Sequence, residues 1–93
     1  MNMREYLLSC VAEECGEITQ RATKAQRFGL DEIQPEQELT NTRRLEMEIN
    51  DLLGVLELLA EHGVKPGDRV EIERKKMRVL TYAEYSRKCG TLE

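Results

Sequence analysis

The chain has 93 residues, 40 % of them apolar and 34 % charged, a net charge of −4, no Trp and only four Tyr and Phe side chains. That length holds one small domain with a modest core. The acidic balance argues against a general polyanion binder, and the shortage of aromatic rings argues against a base-stacking platform for nucleic acid. No apolar run reaches the length of a membrane span. The three cysteines, Cys10, Cys15 and Cys89, match no zinc spacing, and no signal peptide is seen. They are expected to be reduced thiols in a cytoplasmic protein, with Cys10 and Cys15 packing near the apolar face of the first helix.

Apolar periodicity predicts a first helix from about Arg4 to Phe28, with Gly29 as its C′ residue. A connection then runs to Pro35. A second helix is expected from about Glu36 to His62, followed by Gly63. Pro66 and Gly67 mark another turn. A third helix is expected over about 68–83, with Val70, Met77, Val79, Leu80 and Ala83 as its buried positions. No segment alternates with the period of a strand. The predicted class is all-α: one domain over 1–93, an antiparallel bundle of three main helices completed by homo-oligomerisation.

Two acidic clusters stand out within the first two helices. They are Glu13-Glu14-Cys15-Gly16-Glu17 and Glu48-Ile49-Asn50-Asp51. Each contains two carboxylates three residues apart, which places them on one helix face a turn apart. On a helical wheel, Leu7, Val11, Ile18, Ala22 and Ala25 form the apolar arc of the first helix, and Glu14 and Glu17 edge it. Leu45, Ile49, Leu52, Leu56 and Leu59 form the arc of the second, and Glu48 and Asp51 edge it on the same side. Two helices packed through those arcs would bring four carboxylates together. Like charges at short range are costly without compensation, and an oxygen-only ligand set suits Mg²⁺, Mn²⁺ or Ca²⁺. Glu13 points further outward and is not expected to be a ligand. The ridge of the first helix continues through Arg21, Lys24 and Phe28, so cations follow the carboxylates and could meet phosphate oxygens. The bland alternative is that these cations simply balance the acids.

Charge is unevenly spread. Residues 1–63 carry 13 acids and 6 bases, whereas residues 64–93 carry 5 acids and 8 bases. His62, at a helix C-terminus, is expected to interact with the last carbonyls rather than to catalyse. Ala12, Gly16, Thr19 and Thr23 line the outer side of the first helix, and Gly54 the outer side of the second. Small side chains permit close helix approach, so these faces are expected to help form a homo-oligomer.

E-E-x-x-E on one helix followed by E-x-x-D on the next resembles the MazG-type all-α nucleoside triphosphate pyrophosphohydrolases. The flanking Lys24-Ala25-Gln26-Arg27-Phe28-Gly29 and a Lys-rich third helix fit as well. The resemblance covers roughly residues 5–85. It implies Mg²⁺-dependent hydrolysis of a nucleoside triphosphate, in its ribose or deoxyribose form, to the monophosphate and pyrophosphate. Carried onto this chain, it implies Glu14, Glu17, Glu48 and Asp51 as metal ligands and catalytic residues. Lys24, Arg27, Lys75 and Lys76 are candidates for substrate phosphate contacts. It further implies a homodimer or homotetramer in which helices of two protomers complete each site. The thirty residues between Glu17 and Glu48 are long for that family. Two other readings share parts of this pattern: phosphoribosyl-ATP pyrophosphohydrolase, and a non-enzymatic helical interaction module whose acids are merely solvated.

Overall fold

A computed structural model of the chain describes residues 1–93. It contains three α-helices and no strand: α1 (Met3–Phe28), α2 (Asn41–Ala60) and α3 (Arg69–Cys89). No helix is long and apolar enough to cross a membrane.

Local chemistry sets each boundary. A capping box opens α1: the Glu5 amide donates to Asn2 Oδ1 at 2.9 Å, and the Asn2 amide donates to Glu5 Oε2 at 3.0 Å. Gly29, at φ 100°, ends the helix and donates its N–H to the Ala25 carbonyl at 2.9 Å.

The second helix starts five residues later than the expected Glu36. Pro35, where the connection was expected to end, lies within it. It sits second in a turn closed by the Gln37 amide donating to the Gln34 carbonyl at 3.0 Å, with Glu36 next at φ 70°. Proline followed by a positive φ is the pattern of a type II turn, and it is incompatible with a helix starting there. Thr40 provides the cap instead, its Oγ1 accepting from the Arg43 amide at 3.2 Å. At the other end, α2 stops at Ala60 rather than His62. The Glu61 and His62 amides donate to the Leu58 and Leu59 carbonyls at 3.0 and 2.8 Å, a tightened last turn.

The third helix starts beside its expected position, capped by Asp68 accepting from the Glu71 amide at 2.9 Å. It runs beyond residue 83, to Cys89. An i,i+3 ion pair between Glu84 and Arg87 supports the added turn, and Gly90, left-handed at φ 81°, is the residue able to end it.

Helices α1 and α2 form an antiparallel hairpin, the only pair of helices that packs. The connection between them is laced to the start of α2. Asn41, 2 % exposed, donates from Nδ2 to the Gly29 carbonyl and to Glu32 Oε1, both at 2.8 Å. Thr42 bonds the Leu30 carbonyl, and Arg44 bonds Gln34 Oε1 at 2.9 Å. These bonds fix where α2 begins, and hence the height at which Glu48 meets α1.

The core is thin. Leu7, Ala25 and Leu59 are its buried apolar side chains. Val11, Ile18, Leu45, Leu52 and Leu56 are half-buried, as their arcs predict, while Ala22 and Ile49 from the same arcs lie exposed. Cys10 is half-buried, but Cys15 faces solvent, so its expected packing role is not met; all three thiols are free. The larger departure concerns α3. It packs on neither α1 nor α2, and Val70, Met77, Val79 and Leu80, expected in the core, are exposed; Ala83 is half-covered.

Candidate metal centre

Packing of the two hairpin helices brings three of the four predicted carboxylates together. Glu14, Glu17 and Glu48 each place an oxygen within 4.8 Å of the others, and all three side chains are half-buried. Asp51, one turn beyond Glu48, is exposed and lies outside this group. Its charge still reaches Glu14 and Glu17. Glu13 is exposed and outside the cluster, where the wheel puts it.

The electrostatics are those of a site short of positive charge. Glu14 is pushed above the ordinary carboxylate value, first by loss of solvation, then by the charges of Glu17, Asp51 and Glu13. Glu17 is raised first by the Glu48 carboxyl, close enough to share a proton with it, and then by the Glu48 charge, with Arg21 partly offsetting the rise. Two ionised carboxylates cannot hydrogen-bond, because neither carries a donor. With both ionised, Glu48 Oε2 is buried without a partner, and Glu14 Oε2 is buried and unpartnered as well. A shared proton or a bound cation would satisfy them. The donor set is all oxygen and anionic, which suits a hard divalent ion.

Positive charge stands next to the cluster on the same ridge. Arg21, one turn beyond Glu17, has its Nη1 buried with no acceptor. The sequence places Arg21 on this ridge, but only burial distinguishes it from Lys24, which is half-exposed, and Arg27, which is exposed. The Arg27 guanidinium lies over the Phe28 ring, 4.9 Å from its centroid. Lys75 and Lys76 do not approach the carboxylates within one chain, because α3 packs on neither hairpin helix; Lys76 pairs with Glu73 at 3.3 Å. His62 is exposed at the opposite end of the hairpin, in a shallow depression with Asn2, Met3 and Arg4.

A pH prediction follows from the two raised carboxyls. Folding takes up protons where a folded group is more basic than its unfolded counterpart. Without divalent cations, the contribution of these two carboxyls to stability is therefore expected to be largest below the ordinary carboxylate range. It should fall as pH rises through the raised values of Glu14 and Glu17. Excess Mg²⁺ should remove this decline, because it binds the ionised forms. Thermal melts between pH 4 and 8 (roughly the range over which carboxyls titrate), with EDTA or with Mg²⁺, measure both. A cation-free midpoint that climbs across that range would contradict the assignment.

No family model matches the chain, and no curated protein or solved structure matches it either.

Proposed function

We propose that this protein is a Mg²⁺-dependent hydrolase that cleaves a nucleoside triphosphate between its α and β phosphates. The observation that carries the reading is the half-buried Glu14–Glu17–Glu48 cluster with two orphaned oxygens, set beside an orphaned Arg21 nitrogen. Such a pairing suits a ligand that is itself a cation bound to a polyanion. The motif resemblance supplies the reaction class.

Glu14, Glu17 and Glu48 would hold the cation, with Asp51 as the fourth carboxylate of the set. Mg²⁺, or Mn²⁺ in its place, would supply charge to neutralise the triphosphate and would acidify the attacking water. Arg21 binds a phosphate oxygen through its free Nη1, and Lys24, one turn on, adds a second positive charge. A carboxylate of the cluster, or Glu13 beside it, accepts the proton from water. Water attacks phosphorus, the bond to the bridging oxygen breaks, and pyrophosphate leaves with the negative charge. Lys75 and Lys76 would have to come from another copy to take part.

A hydrolysis screen with Mg²⁺ tests this. It would span canonical and modified nucleoside triphosphates and phosphoribosyl-ATP, with pyrophosphate and orthophosphate measured separately. Pyrophosphate and a monophosphate in equal amounts are expected from at least one nucleoside triphosphate. Release of orthophosphate alone, or no turnover and no Mg²⁺-dependent stabilisation, would defeat the proposal.

A further inference from the structure

The third helix packs on neither α1 nor α2, yet its charges are sorted. Glu73 takes Arg69 and Lys76, and Glu84 takes Arg87. On a helical wheel these five residues fall within an arc of about 80°. The opposite side carries Arg74, Lys75 and Arg78, and none of them enters an ion pair. Like charges at this spacing repel along a helix, so an anion is the group that would relieve them. The sequence alone reads Lys75 and Lys76 as a pair, whereas the fold separates them. Lys76 is held by Glu73 at 3.3 Å, and Lys75 is free.

Lys75 and Arg78 share a shallow depression with Val79, Tyr82, Ala83 and Ser86. Tyr82 is its one aromatic ring and is 68 % exposed. Tyr82 lies one turn beyond Arg78 and two beyond Lys75, about 6 Å and 10 Å along the axis. A bare ring with two free cations at these distances matches a nucleotide, with the ring under the base and the cations on the phosphates. A single ring serves a single base, so a free nucleotide suits the depression better than a strand. A lipid surface suits α3 poorly. Its apolar residues divide between an Ile72–Val79–Ala83 side and a nearly opposite Val70–Met77 side, whereas a membrane-lying helix needs one wide apolar face.

We infer that Tyr82 is the platform on which the base of a nucleoside triphosphate stacks, with Arg78 and Lys75 on its phosphates. The inference rests on the hydrolase reading above and supplies what the metal centre lacks. The carboxylates and Arg21 meet a cation and phosphates, but none of them is suited to a base. As α3 packs on neither hairpin helix, the nucleotide joins α3 of one copy to the carboxylates of another. The platform also sets a specificity. α3 contains no Asn, Gln or His to read a base edge. Recognition there is by stacking, which tolerates every base and ranks them by ring area, purines ahead of pyrimidines.

Equilibrium dialysis of the whole chain with ATP and with CTP in Mg²⁺, joined to steady-state kinetics, tests this. Tyr82→Ala is expected to weaken ATP binding and raise KM by about tenfold or more. Its kcat and its stabilisation by Mg²⁺ should stay at the wild-type level, and its preference for ATP over CTP should disappear. Tyr82→Phe keeps the ring and should restore both the affinity and the preference. Arg78→Ala should weaken ATP more than AMP. A wild-type chain that retains no ATP overturns the inference. So does a Tyr82→Ala variant that binds ATP like wild type, or a Tyr82→Phe variant that binds no better than Tyr82→Ala. A single-stranded oligonucleotide that binds more tightly than ATP overturns it as well. The two readings fail separately. ATP held through Tyr82 with no pyrophosphate released from any nucleotide defeats the hydrolase alone. ATP hydrolysed with a KM indifferent to Tyr82→Ala defeats the platform alone.

Discussion

Replacing Glu48 with Gln is expected to do two opposite things. Mg²⁺-dependent hydrolysis should fall by at least about 100-fold, because one of the three clustered oxygen ligands becomes a neutral amide. The melting midpoint of the cation-free protein should rise. Both results have one cause. Glu14 and Glu17 are held above the ordinary carboxylate value by lost solvation and by their charged neighbours, Glu48 prominent among those acting on Glu17. A Gln of the same shape removes a charge and gains an amide donor for Glu17. In wild type, Mg²⁺ at 100 times its dissociation constant should stabilise the folded state by about 2.7 kcal/mol through mass action. In Glu48→Gln that increment should shrink or vanish. Kinetics at saturating nucleotide, with melts in EDTA and in Mg²⁺, measure all three. Undiminished turnover would remove Glu48 from the site. A cation-free midpoint that drops would show that the cluster supports the fold instead of straining it.

Leu59→Ala is expected to be the most damaging single change to the fold. Leu59 is 1 % exposed, and only Leu7 and Ala25 join it as fully buried apolar side chains. Truncating a buried leucine to alanine costs about 2–5 kcal/mol, a large share of the roughly 5 kcal/mol at the low end of domain stability. Its backbone carbonyl accepts the His62 and Val64 amides at 2.8 and 3.2 Å, bonds an alanine keeps, so the loss reads the side chain alone. The midpoint should fall by about 10 °C or more, at roughly 4–8 °C per kcal/mol for a domain this small. Leu58→Ala is the comparison, because Leu58 is 51 % exposed and adjacent in sequence. Equal losses in the two variants, read by urea or thermal melts, would mean that the hairpin core lies elsewhere.

The consequences of these two changes differ because the chain divides its labour. Leu7 and Leu59 close the seam where α2 ends beside the start of α1, Ala25 closes it at the other end, and the carboxylates sit between them. A site of like charges is tolerable only if other parts of the hairpin hold it together. The laced connection at Asn41, Thr42 and Arg44 does this from the far end, by fixing α2 relative to α1.

Much of this was legible in the order of residues. Apolar period set the all-α class and three helices, because a stripe repeating every 3.6 residues has no use in a strand. The i,i+3 spacing and the matching shoulders of the two arcs predicted that Glu14, Glu17 and Glu48 would meet, since helix geometry fixes which side chains share a face. Boundaries that depend on turn chemistry were read less well. Pro35 fits equally a helix start or the second position of a type II turn, and only the bonds of residues 30–34 to Asn41, Thr42 and Arg44 chose the turn. The tertiary structure alone decided three further matters. It left Asp51 outside the cluster, because sharing a helical shoulder does not fix the reach of a side chain. It singled out Arg21 from Lys24 and Arg27, because burial of one guanidinium nitrogen depends on how closely two helices pack. It also left α3 unpacked, because periodicity shows that a helix has apolar sides but does not specify which chain will cover them.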